Sequence, residues 1–186
     1  RNLRSKAQKL TIDSHIAENV QALTSSLTLP HFRRNNQSMT LFADVERENT
    51  DAFESKTGSL GAELSRQLTR NLKGLLGTEL SFSRVEEDGL GDNFALLSLP
   101  IGLEYDQRNN PLDPRSGWVA AGRISPYWDV SDTGTKFVKS TLAASGYVSF
   151  DDFSWKPTLA LRGAVGSISG INRDQVPANV RFYAGG

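Results

Sequence analysis

The 186-residue chain has no cysteine, two histidines and one methionine. The missing cysteines exclude disulfides and thiolate metal sites. His15 and His31 fall in separate segments, so side chains in solvent or in a polar lumen are expected there, with no histidine metal centre. Nowhere does an apolar run approach the ~18 residues that would mark a transmembrane helix. Charge of one sign is also lacking, with 21 basic against 21 acidic residues, so no global field draws the chain to nucleic acid. Enzymatic signatures fail in turn. The serines have no nucleophile-elbow pattern or histidine partner, and Gly89-Leu90-Gly91 is not followed by the helix a phosphate loop needs. Glu86-Glu87-Asp88 and Asp151-Asp152 read as solvated loop charge. The expectation is a protein without catalytic residues or cofactor.

What the chain does have is a period of two. Ala95, Leu97, Leu99, Ile101, Leu103 and Tyr105 form an apolar row, interleaved with Leu96, Ser98, Pro100, Gly102 and Glu104. After a turn, Trp118, Ala120, Gly122, Ile124, Pro126 and Trp128 alternate with Val119, Ala121, Arg123, Ser125, Tyr127 and Asp129. Such alternation predicts extended strands with one apolar and one more polar face. These segments reach the ~9–11 tilted residues that cross a bilayer as a barrel stave. The mean hydropathy of −0.39 is no obstacle, because a barrel turns half of each strand toward its lumen.

The same rhythm predicts strands near 7–17, 20–31, 39–46, 59–65, 76–83, 138–150 and 155–165, nine in all. Glu63, Glu79, Arg123, Lys139 and Arg162 fall on the polar rows and are expected to hydrate and cross-link a lumen. Connections at 33–37, 69–71, 107–115 and 151–154 should lie on one side and be tight. Those at 48–53, 86–92 and 131–134, with the tail after Gly170, should lie on the other and be longer, except for 131–134, which is short. Short periplasmic and longer external connections characterise outer-membrane barrels. Trp118, Trp128 and Trp155 sit near strand ends, where their rings suit a membrane interface. A soluble β-sandwich acting as a binding domain is the alternative, but it would have shorter strands and turns every 8–12 residues.

Two motifs add a resemblance. The turn carries Asp106, Arg108, Asn110, Pro111, Leu112, Pro114 and Gly117 in the pattern D-x-R-x-N-P-L-x-P-x-x-G, and the chain ends Arg181-Phe182-Tyr183-Ala184-Gly185-Gly186. In both it resembles the BamA/TamA superfamily of bacterial outer-membrane assembly factors (the bacterial surface antigen family), the TamA branch above all. The likeness extends diffusely over 1–186. It implies an all-β fold of antiparallel up-and-down strands, about nine staves of a sixteen-strand transmembrane β-barrel. Periplasmic POTRA domains and the remaining strands would lie outside this partial barrel domain, as expected for an excerpt of a longer protein. Arg181, Phe182, Gly185 and Gly186 would lead into a large external loop. The implied function is insertion or translocation of outer-membrane proteins, autotransporters included, in the bacterial cell outer membrane. The implied partners are outer-membrane lipid, client outer-membrane proteins and a TamB-like periplasm-spanning protein. A two-partner secretion pore of the same superfamily is the rival within the family. In the turn itself Pro111 and Pro114 fix φ, Gly117 can take φ > 0, and Asp106 and Asp113 can accept backbone N–H bonds.

Overall fold

A computed structural model describes residues 2–3, 8–50, 53–87, 90–131, 134–150, 157–172 and 175–182. Trp155, the 151–154 connection, Asp88, Gly89, Gly185 and Gly186 lie outside the described residues. Among the described residues no helix is long and apolar enough to cross a membrane, which says nothing about crossing by strands.

The strands are β1 (Asn2–Leu3), β2 (Gln8–Ile16), β3 (Val20–Pro30), β4 (Gln37–Asn49), β5 (Glu54–Gln67) and β6 (Leu72–Glu87). They continue as β7 (Leu90–Ser98), β8 (Ile101–Asp106), β9 (Ser116–Asp129), β10 (Lys136–Ser149) and β11 (Thr158–Ser169). They form one antiparallel sheet in which sequence neighbours pair, except that β7 and β8 do not pair with each other and instead share both flanking strands, β6 and β9. Each of the nine expected strands is present, and β1 is additional.

The segment expected as one strand over 93–105 is labelled as two. Pro100 has no N–H to give the ladder, yet the register does not slip across it. Ser98 faces Tyr127 and Ile101 faces Ile124, while Ser98 faces Glu79 and Ile101 faces Leu76. The gap is held by Leu99 N–H to the Pro126 carbonyl (3.1 Å) and Gly77 N–H to the Pro100 carbonyl (2.8 Å). Gly77 is required at that point, because a Cβ would stand 2.9 Å from Pro100 Cγ.

The two faces differ as the alternation demands. Leu41, Leu60, Leu76, Phe82, Leu99, Ile101, Leu103, Ile124, Leu142, Leu161 and Val165 are all exposed on one face, so the apolar rows are not a packed protein interior. The opposite face carries Glu63, Glu79, Arg123 and Lys139, placed together by the cross-strand register.

The connections alternate sides as expected, but their lengths do not contrast as expected. The hairpin between β6 and β7 closes between Glu87 and Leu90, whereas 107–115 is the longer link. The difference lies in the strands. On the apolar face of β4, Arg47 and Asn49 follow Val45, and β5 returns through Glu54 and Lys56 before Leu60. On β6, Arg84 and Glu86 follow Phe82. The strands thus project as polar ribbon past the apolar band at that end. At the other end of β6, β8 and β9 the band runs to the turns, at Leu72, Tyr105 and Trp118.

Candidate functional site

The 106–117 turn is built by side chains bonding backbone. Asp106 accepts from Arg108 N–H (2.9 Å) and Nε (3.0 Å) through Oδ1, and from Nη2 (2.7 Å) through Oδ2. This two-pronged pairing is the strong form of an arginine–carboxylate contact. It raises the Arg108 pKa, with the side-chain hydrogen bond to Asp106 as the largest cause. Arg108 also donates from Nη1 to the Pro111 carbonyl (3.4 Å), and Asn110 Oδ1 accepts from Leu112 N–H (3.0 Å). Gly117 has φ of +94° and no room for a Cβ beside the Gln107 carbonyl. Asp113 meets the Arg115 side chain at 3.3 Å, not the backbone bond expected of it. Leu112 is 95% exposed.

Asn109, which sequence reasoning passed over, holds the base of the turn. Its Oδ1 accepts from Arg115 N–H (3.0 Å) and Ser116 N–H (3.1 Å). Asn in a turn is a local signal, but its partners lie six and seven residues on, so spacing alone does not reveal them. Because Asp106 serves both the guanidinium and the Arg108 N–H, Asp106→Ala should destabilise the parent protein more than Arg108→Ala. Urea unfolding of the two single variants and the double variant should show that the two effects are not additive. Additive effects would show that the pair contributes nothing.

The polar face gathers the predicted inward charges. A cavity of about 200 Å3 is lined by Glu79, Ser98, Arg123, Tyr127, Lys139 and their neighbours. Arg123 Nη2 pairs with Glu63 Oε2 at 3.4 Å, linking β9 to β5. Tyr127 stacks on Phe137 with centroids 4.7 Å apart. Arg162 lies on the same face of β11, opposite Ser145.

Over this face lies the segment after β11. A short 3-10 helix, Ala178–Val180, buries Ala178 against Phe53 and Val85, with Phe94 alongside. Asn179 Nδ2 donates to Thr57 Oγ1 on β5 (3.2 Å), and Lys139 Nζ on β10 donates to the Val180 carbonyl (2.8 Å). These strands are four ladder steps apart, ~19 Å along the sheet, so two adjacent residues tie distant parts of the face together. Lys139 also stands 4.6 Å from the centroid of the Phe182 ring. Arg181 Nε donates to the Val176 carbonyl (2.8 Å), which folds the tail on itself. Expected only as a lead-in to a loop, Arg181 and Phe182 belong to a strap across the polar face.

Elsewhere His31 bonds the Asn35 carbonyl through Nδ1 (2.8 Å) at a left-handed φ of 57°, a turn role. Among the described residues no group of three His, Asp or Glu side chains could hold a metal. The arrangement offers cross-strand ion pairing and docking of a chain segment.

The family model of the Omp85 superfamily domain matches residues 2–186. Among solved structures, the chain is similar to the crystal structure of BamA from Haemophilus ducreyi lacking POTRA domains 1–3, with a TM-score of 0.81 at 17% identity. That match covers 97% of this chain and 39% of the BamA chain. No curated protein sequence gives a significant match. With an antiparallel wall of the BamA-barrel kind and a superfamily match over nearly its whole length, the chain belongs to the Omp85 superfamily.

Proposed function

We propose that this chain is part of the transmembrane wall of a TamA-like assembly factor in the bacterial outer membrane, working without chemical catalysis. The exposed apolar face carries the membrane reading. It is continuous from β2 to β11, too large a patch for a water-facing surface. Trp118 and Trp128 sit at opposite ends of that face on β9. Ten residues span ~33 Å, or ~25 Å at a tilt near 40°, the height of an outer-membrane apolar band between its aromatic girdles. The end where polar strands overhang is read as external, and the end with Tyr105 and Trp118 as periplasmic.

Superfamily membership and the 106–117 motif support client outer-membrane proteins, autotransporters among them, as the cargo. The TamA-like motif residues support a TamB-like periplasm-spanning partner. Deleting the parent gene is expected to lower the amount of folded autotransporter at the cell surface, with recovery on complementation. Unchanged surface levels of autotransporters and of other outer-membrane proteins would overturn the reading.

A further inference from the structure

Two turns on the end read as periplasmic carry a group of arginines, of which Arg33 lies 5.5 Å over the Phe32 ring. Arg33 and Arg34 lie in the β3–β4 turn, Arg66 at the end of β5, and Arg70 in the turn to β6. The turns are locked together: Asn36 Nδ2 donates to the Gln67 carbonyl (2.6 Å) and Gln67 N–H to the Asn36 carbonyl (2.8 Å). None of the four arginines is in an ion pair among the described residues. The sequence explains why, since no Asp or Glu occurs between Glu18 and Asp44 or between Glu63 and Glu79.

Arg66 lies in the same row as Leu60 and Leu64, on the apolar face. Its Nε is buried without a hydrogen-bond partner. Beside it, half-exposed Leu68 folds back over Gly74 on that face. A guanidinium whose Nε has no partner, at the edge of a lipid-facing band and next to an apolar anchor, suits a group with a phosphate head and an acyl tail. Arginine stems lie along apolar surface with their heads in the polar layer, where phosphate accepts two parallel N–H bonds.

We infer that Arg33, Arg34, Arg66 and Arg70 form a binding site for the phosphate headgroup of an anionic phospholipid in the periplasmic leaflet. This rests on the membrane reading above. The site would hold the β3–β6 rim at a fixed depth.

The test uses the full-length parent protein in nanodiscs of equal parts phosphatidylethanolamine and phosphatidylglycerol, with retained lipid read by native mass spectrometry. The wild type should retain phosphatidylglycerol above its bulk share, with affinity falling roughly fivefold for each arginine removed and weakening as salt is raised. The variant Arg33→Gln/Arg34→Gln/Arg66→Gln/Arg70→Gln should return to the bulk ratio, and Arg115→Gln should behave as wild type. The turn-only pair Arg33→Gln/Arg34→Gln keeps the test decisive if the fourfold variant does not fold, and should show reduced enrichment. Soluble glycerol phosphate should not compete; if it does, the site takes free phosphate and the lipid assignment falls. Equal retention by wild type and variants overturns the inference, also where the variants lose an acidic periplasmic protein instead. A parent protein that does not enter nanodiscs would overturn the membrane reading itself, an outcome distinct from insertion without lipid preference.

Discussion

Leu99→Arg in the full-length protein is expected to lower folding stability in lipid by about 2–4 kcal/mol, the cost of a lipid-facing cation near the bilayer midplane. Leu99 is 39% exposed on the apolar face, between Leu97 and Ile101. Leu99→Phe should cost little, because lipid has no fixed shape to clash with the larger ring. Leu96 is the matched contrast. It points to the other face, is 2% exposed, and sits opposite Asp129 and Ser81. Leu96→Phe should therefore cost about 1–3 kcal/mol by overpacking. The polar-face control is Ala121→Arg, since Ala121 is exposed and lies directly opposite Glu104. It should fold as well as wild type. Urea titrations in lipid vesicles would measure the series. A large cost for Leu99→Phe would place this row inside a protein core and overturn the barrel reading.

Gly117→Val is expected to be the most damaging change in the 106–117 turn, at about 3 kcal/mol or more. A β-branched residue at φ of +94° is strained by about 1–3 kcal/mol. Its Cβ must also displace the Gln107 carbonyl, and with it the Gln107 N–H bond to the Trp118 carbonyl (2.8 Å) that closes the strand pair. Leu112→Ala, by contrast, should leave stability unchanged, because Leu112 is almost wholly exposed. Heat-modified mobility of the folded barrel on gels would rank the two. A stable Gly117→Val protein would mean the turn can rearrange, and the motif would then need an explanation other than backbone geometry.

The strands and their facing were legible in the residues, because alternation is a local property: each side chain points opposite to its neighbour whatever the strand pairs with. The prolines and Gly117 of the turn were legible for the same reason, since φ limits act within a residue. Three features were decided only by the assembled sheet. Ser98, in the polar row, would pass for an open lumenal position, yet it is 2% exposed beside Glu79 and Tyr127, because the register brings in residues distant in the chain. The strap at 175–182 shows no period and depends on Phe53, Thr57, Val85 and Lys139, which only pairing of β5 through β10 brings within its reach. The arginine rim likewise combines two stretches more than thirty residues apart, joined where Asn36 meets Gln67. A sequence states which way each side chain turns; which charges and cavities share one place is set by strand register, and register is a tertiary property.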